Sequence, residues 1–380
     1  LFDVAVAPRP LIEAEPDDEY QRFVIGDADP LLLGEPARVR KVWFQAPEGL
    51  RAAWMVELYA ARPDEEMRAY RLVLDAADAS LLERRDLTLS DAFTFRVWAE
   101  ASGDKRPLDS PLTDMTPHPT GMPSGFKPQT VPPQLVTMEG FNKNPMGGHD
   151  PWMAAGAKDT QGNNADAYSD KKSPDGIGGG DYRATVTSPN TFDRMYNFKI
   201  DPGTTTKDQV MVGITQAFYD VNWMHDYFYD SGFDEKAGNA QKDNYNRGGL
   251  AADSIFAEAQ DYSGSNNANM YTPADGDSPR MQMYIWNQTS PTRDGDLSMD
   301  IIIHEFGHGV SNRLTGGPAN SNALSARQSG GMGEGWSDFW SLMFTQKPTD
   351  AKMDAYPMAT WVLGQPSNGN GLRHFPYSYD

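Results

Sequence analysis

The stretch 301–310 reads IIIHEFGHGV, three branched apolar residues followed by two histidines four positions apart, with a glutamate directly after the first. On a helix, residues i and i+4 share a face, so His304 and His308 can direct both rings at one ion. Glu305 stands beside them as a candidate general base. This is the H-E-x-x-H arrangement of zinc hydrolases, in which zinc on three protein groups keeps a fourth position for water and lowers that water's pKa to about 7.

Alone the motif is weak, because two histidines on a helix can simply cap it or hydrogen-bond inside a core. The run SGGMGEGWSDFW at 329–340 changes the balance. Glu334 and Asp338 are again four apart, on a segment that becomes apolar and helical, so the two carboxylates share a face. One of them can complete a two-histidine, one-carboxylate ligand set, and the other can accept the free ring N–H of a ligating histidine. The ordinary alternative is an acidic helix start favoured by the dipole, which would leave the first motif unexplained. Gly307 and the glycines around Glu334 suggest an uncrowded fourth coordination position, which argues against a rival reading as a closed structural zinc module.

Composition narrows the chemistry further. The 380 residues include 33 Lys+Arg and 53 Asp+Glu, a formal charge of −20, which argues against nucleic acid or an anionic membrane surface as a partner. There is no cysteine, so a metal must be held by His, Asp or Glu. No stretch approaches the roughly 20 apolar residues of a membrane span. The chain begins at Leu1 and its final residues are GLRHFPYSYD, which reads as a piece of a longer open reading frame or a processed chain.

The elements that must position these residues follow an α+β plan. Residues 1–88 hold short alternating runs (RKVWFQAP, RAAWMVELYA, AYRLVLD, LLERRDLT) separated by turn residues, as in a small meander of strands. AFTFRVWAE continues the strand pattern, and the eight prolines between Pro107 and Pro133 mark an extended connection. From about 150 to 205, Asn, Asp and Gly predict long loops between short strands. Thr206 and Gln209 form a plausible capping box for an amphipathic helix running to about Tyr229, on which Val210, Ile214, Ala217, Val221, Met224 and Phe228 recur at helical spacing. NNANMYTP and PRMQMYIWN read as strands, and two further helices are expected, from about Ser298 to Arg313 and from about Gly333 onward.

HEFGHGVSNRLTGGPAN followed by GGMGEGWSDF, together with FYDVNWMHDYFYD, NNANMYTPADG and PRMQMYIWN, resembles the fungalysin family of secreted zinc metalloendopeptidases, relatives of thermolysin. The likeness covers most of 90–380, and residues 1–88 resemble a partial inhibitory propeptide. It implies a strand-rich propeptide domain (1–88) before a thermolysin-like catalytic domain (89–380) whose carboxy-terminal helical subdomain is truncated. It implies one catalytic zinc on His304, His308 and Glu334, with Glu305 as base and Asp338 orienting His304. Asn267 and Ala268 resemble the edge strand that pairs with substrate backbone, and Leu372 and Arg373 resemble the pair that lines the S1′ pocket and holds a substrate carbonyl. The implied protein is a secreted, extracellular endopeptidase made as a latent proenzyme, acting on protein or peptide substrates with hydrophobic P1′ residues, with its own propeptide as inhibitor. The family's oxyanion-stabilising histidine has no clear counterpart among the six histidines. His118 and His149 lie in loops, His225 belongs to the first helix, and His374 is the local stand-in.

Overall fold

The computed structural model describes residues 12–17, 20–24, 32–33, 35–46, 49–61, 68–86, 92–112, 130–145, 149–203, 206–346, 348, 350–365 and 369–378. They fall into two units, 1–90 and 91–380. In the first, period-two alternation produces seven strands: β1 (Ile12–Asp17), β2 (Tyr20–Val24), β3 (Leu32–Leu33), β4 (Ala37–Ala46), β5 (Gly49–Ala61), β6 (Arg68–Asp75) and β7 (Leu81–Asp86). They pair antiparallel in the order β1-β2-β4-β5-β6-β7, with β3 on β5. Val42 opposes Ala53 and Met55 opposes Val73 across neighbouring strands, which places them on one face. There Ala53, Met55 and Val73 form a small core with Tyr20, Phe44 and Leu82 packed against it.

The second unit begins with β8 (Phe93–Val97), which pairs antiparallel with β9 (Gln134–Met138) and parallel with β12 (Thr191–Phe192). Much of the proline-rich connection, 113–129, lies outside the described residues, as does His118. A five-stranded sheet runs β11-β10-β13-β15-β14, formed by β11 (Tyr182–Arg183), β10 (Ala165–Ser169), β13 (Ile255–Ala259), β15 (Arg280–Met283) and β14 (Ala268–Tyr271). Its three central strands are parallel, while β11 and β14 close the two edges antiparallel. A short ribbon of β16 (Ile285–Trp286) and β17 (Arg293–Asp294) leads into the helices.

Helix α1 (Lys207–Asp230) starts as expected, Thr206 accepting the Gln209 N–H at 3.4 Å. The reciprocal half of the capping box is absent, because the Gln209 amide instead bonds both the N–H and the carbonyl of Asn197 at 3.0 Å. The helix is also not amphipathic. Its polar residues Gln216, Asp220, Asn222 and Asp226 are as buried as its apolar ones, since α1 is surrounded by β8, β10, β13 and a second helix. All four find internal partners, Asn222 donating to the Phe218 carbonyl at 2.7 Å. Gln216 accepts from Trp98 N–H and donates to Asp220, and Asp226 takes the Trp152 indole and the Phe141 N–H.

Helix α2 (Met299–Gly316) packs against α1, α3 (Arg327–Thr345) and the edge strand β14. Phe228 of α1 stacks on Phe306 of α2 at 5.7 Å and meets Trp340 of α3 edge-on at 5.1 Å, so one ring locks three helices together. α3 begins six residues before the expected Gly333. The sequence SGGMG is a poor helix former on its own, and packing against α2 overrides that weakness. At the other end of α2, Arg313 is wholly buried. It pairs with Asp253 at 2.8 Å and donates to the carbonyls of Gly238, Asn239, Pro273, Ala274 and Asp277. Replacing Arg313 with Ala strands the buried Asp253 charge and five acceptors, so the unfolding free energy should fall by about 3–5 kcal/mol. Denaturant titration checks this, and an unchanged midpoint would contradict it.

Candidate metal centre and active-site cleft

The one-turn spacing on α2 brings His304 Nε2 and His308 Nε2 to 3.1 Å of each other. Glu334 reaches across from α3, its Oε2 3.3 Å from His304 Nε2 and its Oε1 3.5 Å from His308 Nε2. Donors held tetrahedrally by one zinc at about 2.0–2.1 Å stand about 3.3–3.4 Å apart, so the three side chains are already spaced for that ion. Two imidazoles and one carboxylate are also a donor set that suits zinc.

Asp338, one turn after Glu334, accepts His304 Nδ1–H at 2.6 Å, which turns His304 Nε2 toward His308 and Glu334. Its carboxylate in turn takes two bonds from the Arg373 guanidinium, at 2.7 and 2.6 Å, and one from the Tyr377 hydroxyl. Burial opposes the charge on Asp338, yet these donors hold its carboxyl well below the usual range. Burial pulls His304 down, but its bonds to Asp338 and Glu334 and the charge of Glu305 outweigh this and lift it to about 9. His308 is lowered by burial and by its proximity to His304. The hydrogen bond from His304 lowers Glu334. Glu305 is buried and pushed up to about 7, chiefly by desolvation.

These residues form the floor of a cleft of about 350 Å³. Asn267, Ala268, Asn269 and Met270 of the β14 edge form one wall, and Met358, Ala359, Leu372 and Arg373 form the other. Among the described residues β14 pairs only with β15, so its second edge is available to an extended chain. The opposite wall hangs from the start of α2, where half-buried Asp300 accepts the Ala359 N–H at 2.6 Å. Leu372 N–H bonds Met358 O at 2.8 Å, and Gly371 makes the close approach possible. It has φ +72, and a Cβ there would lie 2.3 Å from Met358 O.

All nine residues marked from the sequence are thus found in or directly behind one cleft. One reading needs correction, that Gly307 leaves room around the metal. A Cβ on Gly307 would meet Ser337 Oγ and the Trp340 ring at 2.9 Å, so this glycine lets α2 and α3 approach closely. Tyr377 was missed, and no spacing or pattern in the tail points to it. Asn312 also lines the cleft, and its position four after His308 on the same helix face could have revealed it. His374 is exposed and outside the cleft lining, His149 lies beside Glu139, and His225 is buried between Asp226 and Asn239.

Residues 127–380 match the family described as Fungalysin metallopeptidase (M36). The chain is 49% identical over 187 residues to extracellular metalloproteinase 4 of Arthroderma gypseum, covering 49% of this chain and 28% of that protein. It is 45% identical over 222 residues to extracellular metalloproteinase 4 of Trichophyton soudanense (58% and 54%). It is 42% identical over 231 residues to extracellular metalloproteinase MEP of Pyricularia oryzae (60% and 35%). The matches therefore span between about a quarter and about half of these relatives' lengths. No helix among the described residues is long and apolar enough to cross a membrane.

Because Asp338 fixes the ring that presents His304 Nε2, Asp338→Ala should weaken zinc binding by about 10–100-fold. Competition against a chromogenic chelator measures this, and wild-type affinity in the variant would remove Asp338 from the metal centre.

Proposed function

We propose, starting from the fact that the chain belongs to the fungalysin family of metallopeptidases, that it is a zinc-dependent endopeptidase acting on extracellular proteins. The observation that carries this reading is the spacing of His304, His308 and Glu334 at the floor of a cleft beside an available strand edge. Glu334 is 57% exposed at its side chain, so the centre faces the cleft, unlike a closed structural zinc site. One zinc ion bound there would supply a Lewis acid for the scissile carbonyl and make a nearby water more acidic.

The chain's own residues supply the rest. The substrate backbone adds as a strand along Asn267 and Ala268, which fixes the scissile bond over the centre. Glu305 accepts the proton of the attacking water and hands it to the leaving amine, a transfer favoured by a carboxyl tuned near neutrality. Arg373, anchored on Asp338, offers its charge to the substrate carbonyl on the leaving side, and Leu372 with Met358 forms an apolar seat for the residue after the cut. This seat supports a preference for hydrophobic P1′ side chains. Residues 1–88 are proposed to be the inhibitory part of a latent proenzyme, a reading that rests on their resemblance to the family's propeptide.

In the active enzyme, Glu305→Gln should leave zinc content at one per chain while hydrolysis of casein drops by several orders of magnitude, because the amide cannot take the proton. Comparable activity in variant and wild type would defeat the general-base role. A mixed peptide library digested by the enzyme should be cut on the amino side of Leu, Ile and Phe, and cuts enriched before charged residues would overturn the proposed seat. A peptide spanning 1–88 added in trans should inhibit the mature enzyme, and no inhibition would reduce that segment to a spacer.

A further inference from the structure

A second set of acids lies at the carboxyl ends of two neighbouring parallel strands, away from the zinc ligands. Asp170 follows β10, Glu258 belongs to β13 and Asp261 comes two residues after it. All three are buried, and one carboxylate oxygen of each lies within 4.8 Å of those of the other two. Two oxygens on opposite sides of a calcium ion at about 2.4 Å are about 4.8 Å apart, so the trio fits inside one such coordination sphere.

The partners of these acids bring one cation, Arg280, against three carboxylates. Glu258 receives the Tyr168 hydroxyl at 2.9 Å and the Gln282 amide at 3.1 Å, and Asp261 receives the same amide at 2.9 Å. Arg280 approaches Glu258 at 3.3 Å, but it also faces Asp175 at 3.3 Å. Asp170 accepts the Gly176 N–H through Oδ2, at 2.7 Å, while its Oδ1 is buried without any hydrogen-bond partner. A fully buried carboxylate oxygen left bare beside two other acids is costly unless a cation or a proton meets it. We propose that Asp170, Glu258 and Asp261 form a calcium-binding site. Three hard oxygen donors in a dehydrated setting favour calcium over magnesium, which gives up its waters reluctantly.

The site would also act on the cleft. Gln282, held by Glu258 and Asp261, accepts from Asn269 at 3.1 Å, and Asn269 belongs to the edge strand β14. Ser263 bonds Asp261 and lies 3.2 Å from the Tyr284 hydroxyl, which also meets Asn269. A cation among the three acids therefore fixes the strand proposed to hold substrate. This last consequence rests on the peptidase reading, whereas the binding site itself does not.

The test uses the full chain, freed of calcium on a chelating resin and kept in micromolar zinc. Elemental analysis after calcium dialysis should find one calcium in addition to one zinc, and the thermal midpoint should rise with calcium concentration. Terbium should bind in one-to-one ratio with tyrosine-sensitised luminescence, displaced by calcium and by magnesium only at about 100-fold or higher excess. Asp170→Asn combined with Glu258→Gln should abolish the luminescence and the calcium response while zinc uptake persists. Wild-type protein that takes up zinc but shows neither terbium binding nor a calcium-dependent midpoint overturns the proposal, and so does a calcium response retained in the double variant. If that variant does not fold, Asp261→Asn replaces it and the wild-type titration still decides. Loss of peptidase activity with intact calcium binding would count against the proposed function alone.

Discussion

The carboxylate of Asp338 is the constraint on which the centre depends. It is buried where α2, α3 and the segment around 373–377 meet, and it gathers donors from His304, Arg373 and Tyr377. A buried carboxylate with so many donors is held charged and fixed in orientation. It therefore orients the His304 ring and the Arg373 guanidinium from one point on α3, one turn after Glu334. Glu334 itself is half in solvent and Arg373 lies in an irregular segment, so their side chains gain most from this anchor.

The geometry around that carboxylate needs helices that approach more closely than ordinary side chains allow. Gly307 supplies the contact between α2 and α3, and Gly309 does the same toward β14, where a Cβ would sit 2.9 Å from Met270 Cε. On the far side, Phe228, Phe306 and Trp340 set the spacing from within the core. The candidate centre is thus fitted between a glycine seam and an aromatic wedge, and neither is free to relax without moving His304, His308 or Glu334.

Much of this was legible in the residues themselves. Two i,i+4 pairs, His304 with His308 and Glu334 with Asp338, identify four side chains by helical periodicity alone, and periodicity is a local property. The strands of the first unit could be read in the same way from alternation. What stayed hidden depends on contacts between distant positions. The burial of Gln216, Asp220 and Asp226 on α1 makes a helix look amphipathic in sequence when it is enclosed in the fold. The early start of α3 at Arg327 contradicts local propensity, and Tyr377 joins Asp338 across 39 positions with no pattern to announce it. The trio Asp170, Glu258 and Asp261 is likewise scattered, one on β13 and two in the segments that follow β10 and β13, and it becomes a group only when these strands lie side by side.

The edge strand β14 has a consequence for which proteins such a cleft could process. A chain that docks by adding a strand must be extended over several residues, with its own backbone N–H and C=O groups released from any helix or sheet. Native folded proteins offer such segments only at loops, at frayed ends or through brief local opening. On the proposed reading, the rate of attack on a folded target would follow the free energy of that opening more than the identity of the side chains at the cut. Rigid substrates would then resist cleavage however well their sequence suited the pocket.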